Sequence, residues 1–425
     1  MIQLMCGDPR LVGRPASSAY HGIGRTIRHL ARRSAMALGL ALAAAQAPAA
    51  GSDELAGALR ALEREAERVV GSGEAVGLAV AVVADGEIAL LRGFGRVEAR
   101  RGAPPVGERT VFRIASLSKT VAGTYAGLLV AEERLRWDTA VAALLPGFAL
   151  ADPAQTAQLT VTDLLAHRSG LPRHTFDLDL EGDQPYPLLI ERLANTPLEC
   201  PVGQCYGYQN VAFSLIGDIA FHLTGEFYFR EVERRLFAPL GMEDASFGRE
   251  ALERSASWAR PHVRRGRHWI AVRPKETYYR VQPAAGVNAS AADLGRWMLA
   301  HLGHRPEVLD AGLLAAVHEP QIATERELSV APWRRERLRS AHYARGWRVF
   351  DYAGERLLFH GGAVQGYRAM MGLLPGRDLG LALLWNCESP APAGLFPNFL
   401  DRVLGLPRRD WIELPSASSR RRARG

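Results

Sequence analysis

Phe112-Arg113-Ile114-Ala115-Ser116-Leu117-Ser118-Lys119 carries a short apolar stretch into a helical pattern that runs from Ser116 to about Arg134. Of the 52 basic residues in the chain only Lys119 and Lys275 are lysine; all others are arginine. A composition pressed this far towards arginine marks a remaining lysine as a place where arginine fails. Arginine keeps its proton, whereas a buried lysine can become a neutral base. The i, i+3 spacing puts Ser116 and Lys119 on one helical face. Ser116 then stands at the helix N-terminus, where the dipole favours developing negative charge. That is an activated nucleophile beside its base. Ser-x-x-Lys alone fits a helix cap and a surface lysine equally well. The scarcity of lysine and the strand-to-helix placement favour the catalytic reading.

Two further groups belong with it. Tyr206-Gly207-Tyr208-Gln209-Asn210 opens a second helical pattern, Tyr208 to Leu223. A Tyr208 hydroxyl can relay a proton there, and an Asn210 amide can orient a carbonyl. His360-Gly361-Gly362-Ala363 ends a strand pattern near the C-terminus. The paired glycines let a substrate lie against the backbone, and the N–H groups of Ala363 and Ser116 can form an oxyanion hole. Taken singly, these groups read first as capping and packing residues and a satisfied structural histidine.

Outward from these motifs the chain falls into three parts. Asp53 to Val70 has helical spacing. Val76 to Val83 and Glu87 to Phe94 form a hairpin through Asp85-Gly86. The segment from about 116 to 284 is mostly helices and loops, and Ser290 with Asp293 caps a helix to Leu302. Strands return at Gly346 to Asp351, Arg356 to His360, Gly366 to Leu374 and Leu379 to Trp385. Strands at both ends with helices between them predict an α+β fold. Its antiparallel sheet is built from the two termini, with flanking helices and a helical insertion in a domain spanning 51–414.

The net charge of +7 sits at the ends. The body between them is slightly acidic, with no electrostatic footprint for a nucleic acid. Arg32-Arg33, the small apolar run Ala35 to Ala45 and Ala47-Pro48-Ala49-Ala50 read as an export signal over 1–50. The run is too short to span a bilayer, which needs about 20 residues, and the mature chain has no other candidate. The expected location is therefore periplasmic or secreted, with a disordered basic tail over 415–425. Export permits disulfides. Cys200 and Cys205 flank a Pro/Gly turn, where a bridge is worth roughly 2 kcal/mol by chain entropy. Two free thiols or two metal ligands are the alternatives. Cys6 leaves with the leader and Cys387 stays unpaired. Gly-x-Ser-x-Gly and His-Glu-x-x-His are both absent from the sequence.

In order, Ser116-x-x-Lys119, Tyr208-x-Asn210 and His360-x-Gly362 resemble the fingerprint of the serine β-lactamase and penicillin-binding protein superfamily. The Tyr-x-Asn form resembles its class C-like branch of β-lactamases, D-Ala-D-Ala carboxypeptidases, D-aminopeptidases and esterases. Flanking phrases add to the likeness: Leu159-Thr160-Val161-Thr162-Asp163-Leu164-Leu165-Ala166-His167-Arg168-Ser169-Gly170-Leu171-Pro172, Pro239-Leu240-Gly241-Met242 and Pro283-Ala284-Ala285-Gly286. The resemblance implies a Ser116 acyl-enzyme, with Lys119 or Tyr208 as base and Asn210 positioning the scissile bond. Ala363 supplies an oxyanion N–H, and no metal or cofactor is required. His360 stands where a lysine is usual, which makes the charge at that position depend on pH. An efficient β-lactamase is then less favoured than a peptidase or esterase acting on a small amide or ester. D-alanyl peptides, peptidoglycan fragments and β-lactams are the candidate partners. The rivals are a true class C-type β-lactamase and a penicillin-binding sensor that acylates without turning over.

Overall fold

A computed structural model describes residues 52–414. The expected leader, Cys6 and the basic tail lie outside the described residues. The chain begins with helix α1 (Ser52–Gly71), then strands β1 (Gly77–Ala84) and β2 (Glu87–Gly95). Asp85 and Gly86 both take positive φ, 50° and 77°, as the tight two-residue hairpin turn requires. Every residue of β1 is buried. Leu78, Val80 and Val82 face one apolar cluster, and Ala79, Ala81 and Val83 face another. That two-sided burial is why β1 reads as a continuous apolar run.

The principal sheet has eight strands in the order β2-β1-β13-β12-β11-β10-β9-β8. Its C-terminal members are β8 (Ile322–Ala323), β9 (Leu338–Tyr343), β10 (Arg348–Tyr352), β11 (Glu355–Val364), β12 (Tyr367–Leu374) and β13 (Leu379–Trp385). All the pairings are antiparallel, and β1 joins β13, so N-terminal and C-terminal strands meet within one sheet. On the outer face α1 packs with the helix Leu395–Val403 through Ala58, Leu62, Ala66, Phe396 and Phe399. On the inner face lie helix α2 (Ser118–Ala131) and the helix Ala291–Leu299. The latter begins with a complete Ser290/Asp293 capping box.

Several boundaries differ from the sequence reading. The segment between β2 and β8 is not purely helical. It holds a small sheet of β3 (Phe112–Arg113), β7 (Val287–Ala289) and β4 (Ser246–Phe247), and a hairpin of β5 (His262–Arg265) and β6 (His268–Ala271). Strand β9 has no counterpart among the strands read from the sequence. It is a polar strand near the sheet edge, and only Leu338, Ala341 and Tyr343 are buried, too sparse a pattern to stand out. Strand β11 runs four residues beyond His360, because its ladder with β12 continues to Val364 opposite Tyr367.

Strand β10 pairs with β11 only as far as Arg348 opposite Phe359. Beyond Phe359 the edge of β11 is open, and this notch holds the site described below. Backbone contacts fix its far wall. A Cβ on Gly346 (φ +83°) would lie 2.2 Å from the Lys119 carbonyl oxygen, and one on Gly123 would lie 2.0 Å from the Arg345 oxygen. Helix α2 therefore meets the β9–β10 turn main chain to main chain. Gly346→Ala and Gly123→Ala should each cost about 2 kcal/mol or more in urea unfolding. Gly57→Ala, in open space on α1, should add about 0.5–1 kcal/mol.

Candidate active site

Strand β3 leads through Ile114 into Ala115, whose φ of +50° is unusual for a residue with a Cβ and costs roughly 1–2 kcal/mol. A 3-10 turn, Ala115–Leu117, follows, and α2 starts at Ser118. Ser116 thus sits in the turn just ahead of the helix rather than within it. Ser118 clamps the strained turn: its hydroxyl donates to the Ala115 oxygen at 2.6 Å and accepts the Val287 N–H at 3.0 Å. Gly362 presses on the other side, where a Cβ would lie 2.2 Å from the Ile114 oxygen. Gly362 therefore serves the approach of β11 to the serine turn. Ser116 is left partly exposed on a cleft of about 990 Å³.

Lys119 is fully buried. Its Nζ donates to Asn210 Oδ1 at 2.6 Å and to the Ala284 oxygen at 3.1 Å, and lies 4.6 Å from the centre of the Tyr208 ring. No ion pair to Lys119 occurs among the described residues. Burial pushes its pKa well below the ordinary lysine range; Asp177 opposes that fall and Arg348 adds to it. A neutral amine has two N–H groups and one lone pair. Asn210 and Ala284 take the two hydrogens and leave the lone pair free. Burial holds the pKa of the Tyr208 hydroxyl above the ordinary phenol value, with Arg348 and the neighbouring Ser116 pulling the other way.

Tyr208 and Asn210 lie on an irregular segment ahead of the 3-10 turn Ala212–Ser214, not on a helix. The phrase ending in Pro172 is its bed. Gly207 N–H donates to the His167 oxygen at 2.9 Å, Gln209 N–H to His167 Nδ1 at 3.1 Å, and Gln209 Nε2 to the Pro172 oxygen at 2.6 Å. The His167 ring lies 4.4 Å from that of Tyr208. Immediately upstream, Cys200 and Cys205 are joined in a disulfide; Cys387 is free and buried.

On β11 the two-residue turn after Val364 makes Val364 and Tyr367 a bonded pair. Gly362 and His360 then bond to β12, and Gly361 and Ala363 direct their N–H and C=O groups to the open edge. Ala363 N–H therefore faces the cleft. The expectation for His360 is corrected. The side chain is 1% exposed and does not line the cleft. Nδ1 donates to the Gly361 oxygen at 2.8 Å and Nε2 accepts the Tyr343 hydroxyl at 3.0 Å. Burial and the Arg348 charge push its pKa well down, so His360 is a neutral strut and presents no cation to a substrate.

Sequence reasoning missed three groups that complete the site. Asp177 Oδ2 accepts from Asn210 Nδ2 at 2.7 Å and from His174 Nδ1 at 2.6 Å. This fixes the Asn210 amide with its oxygen towards Lys119. Arg348 lies 5.7 Å from the Tyr208 ring centre and pairs with Glu327 at 3.0 Å. One arginine among so many carries no signal, and Asp177 opens a short helix, Asp177–Glu181, in a stretch without a motif. Ser118, inside the Ser-x-x-Lys stretch, was legible only as a spacer. No cluster of three or more His, Cys, Asp or Glu suited to a metal ion occurs among the described residues.

If neutral Lys119 is the base, kcat/KM rises with pH as Lys119 loses its proton. Asp177→Asn removes a charge that raises the Lys119 pKa, so the acid limb should move to lower pH. Arg348→Gln removes one that lowers it, so the limb should move to higher pH. Pure packing defects would lower the plateau and leave both limbs in place.

The chain matches the family model described as Beta-lactamase over residues 22–405. It is 30% identical over 321 residues to penicillin-binding protein 4 of Amycolatopsis lactamdurans, covering 73% of this chain and 80% of that protein. It is 25% identical over 387 residues to the unguisins hydrolase ungD of Aspergillus violaceofuscus, covering 83% of this chain and 66% of the fungal protein. Among solved structures, the octameric penicillin-binding protein homologue of Pyrococcus abyssi aligns with a TM-score of 0.72 at 21% identity, over 82% of this chain and 78% of that one. The D-amino acid amidase of Ochrobactrum anthropi SV3 aligns with a TM-score of 0.65 at 20% identity, over 82% and 98%. These two likenesses show the α+β fold. The chain belongs to the β-lactamase family, within the superfamily of serine β-lactamases and penicillin-binding proteins.

Proposed function

We propose that the protein is an exported serine hydrolase that cleaves a small amide or ester through an acyl-enzyme on Ser116. The observation that carries this reading is the buried Lys119, without a carboxylate partner and with both acceptors of its N–H groups in place. The Lys119 lone pair takes the Ser116 proton as Oγ attacks the substrate carbonyl carbon. The C=O electrons move onto oxygen, where the N–H groups of Ser116 and Ala363 stabilise them. Collapse breaks the C–N or C–O bond. Tyr208 gives its proton to the leaving group and is refilled from the Lys119 ammonium. Water then attacks the acyl carbonyl carbon as Lys119 takes its proton; the C–Oγ bond breaks, Lys119 passes that proton to Ser116 Oγ, and the acid leaves.

His360, neutral and buried, offers no cation to the carboxylate of a β-lactam or a D-alanyl terminus. That favours an amidase or esterase over an efficient β-lactamase. The activities named in two of the similar proteins, an unguisins hydrolase and a D-amino acid amidase, agree with this preference. Small amides and esters whose acyl group carries no free carboxylate are therefore the substrates to try first.

Intact mass after incubation with a fluorescent penicillin, together with p-nitrophenyl acetate turnover, tests the reading. Ser116→Ala should abolish the adduct and lower ester turnover by roughly a thousandfold or more. Lys119→Arg should do nearly as much, since arginine cannot serve as the base. A penicillin adduct that decays marks a hydrolase, and one that persists marks a sensor. Full ester turnover in Ser116→Ala would overturn the proposal.

A further inference from the structure

Two neighbouring glycines on β11 have opposite reasons to be there. Gly362 is demanded by the serine turn pressed against it. At Gly361 a Cβ would meet nothing closer than 3.8 Å, an ordinary contact, and its φ lies outside the left-handed region. Nothing in the fold requires a bare backbone at Gly361. What the missing side chain does is leave space in the cleft.

That space leads away from Ser116. The strand parity of β11 places Gly361 and Ala363 on the outer face of the sheet with Phe359. Across the register, Gly361 lies beside Met370, Ala363 beside Arg368, and Arg368 beside Trp385. The cleft that opens at Ser116 is continuous over the β11 edge with this outer face, where Phe359, Met370 and Trp385 line it together with the charged Arg334, Arg368 and Glu388. Trp333, 6.0 Å from the Phe359 ring, stands as one wall, and Pro390 and Ala393 as the other. At the mouth Leu178 is 84% exposed and Val330 is 56% exposed. Large apolar side chains held open to water beside such a channel point to an apolar occupant.

We propose that this channel is an acyl-chain subsite, so that the favoured substrates are esters or amides of medium-length aliphatic or aromatic acids. This rests on the serine hydrolase reading for its catalytic meaning, while the binding site itself stands on the geometry. The chain leaves the acyl carbon at Ser116, crosses the open edge at Gly361 and lies along Met370 and Trp385 towards Ala393. Each methylene buried there should improve kcat/KM several-fold.

Two measurements keep the subsite and the catalytic reading apart. The first compares p-nitrophenyl acetate with p-nitrophenyl octanoate. The octanoate should be favoured at least tenfold in kcat/KM. Ala393→Phe, which fills the far end of the channel away from Ser116, should remove that preference by lowering octanoate turnover alone. The second follows N-phenyl-1-naphthylamine fluorescence on the Ser116→Ala protein. Saturable binding, displaced by octanoate and weakened at least tenfold by Ala393→Phe, is expected whether or not esters are cleaved. Probe binding without any Ser116-dependent turnover would sink the hydrolase reading and leave the subsite standing. Equal turnover of the two esters, an Ala393→Phe effect on both alike, or no probe binding would overturn the subsite.

Discussion

An ammonium group without a carboxylate partner is one of the least tolerable things to bury, and a lysine so placed responds by giving up its proton. Lys119 is in that position. Its side chain is fully buried among Tyr208, Phe213 and main-chain carbonyl groups, and its polar partners are an amide oxygen and a peptide oxygen. The rest of the site follows from keeping that amine dry and correctly surrounded. Asn210 must show it an oxygen, which Asp177 ensures by accepting from the other end of the amide. Ala284 must bring its carbonyl to the same place. Ser116 must meet the cleft from a strained turn.

The surrounding packing is built for that placement. Main-chain contacts through Gly123, Gly346 and Gly362 lock the serine turn and α2 between the β9–β10 turn and the open edge of β11. No side chain intervenes at these three contacts, so backbone geometry fixes the frame that the Ser118 hydroxyl then clamps. A site that depends on sub-ångström placement gains from that rigidity.

Much of this was legible in the sequence, for identifiable reasons. The β1–β2 hairpin declared itself through an apolar run ending at Asp85-Gly86. Ser290 and Asp293 announced a helix start that the capping box fulfils. Lys119 stood out because the composition had all but eliminated lysine. What stayed hidden was tertiary. Strand β9 is polar and lies near the sheet edge. Gly361 and Gly362 look like a strand end, yet one of them is the means by which the strand continues past the serine turn. His360 read as a titrating cation, because no sequence pattern reveals that Tyr343 and the Gly361 carbonyl will enclose it. Asp177 and Arg348 are ordinary residues until the fold brings them to Lys119 and Tyr208.

With only two lysines in the chain, the state of Lys119 can be observed directly. Lys275→Arg leaves a single lysine, and carbon-13 labelling at its ε-carbon gives one signal to follow against pH by NMR. The account predicts that this signal reports a neutral amine well below the ordinary lysine range, and that Asp177→Asn lowers the midpoint further. A Lys119 that keeps its proton up to the ordinary value of about 10.4 would contradict it.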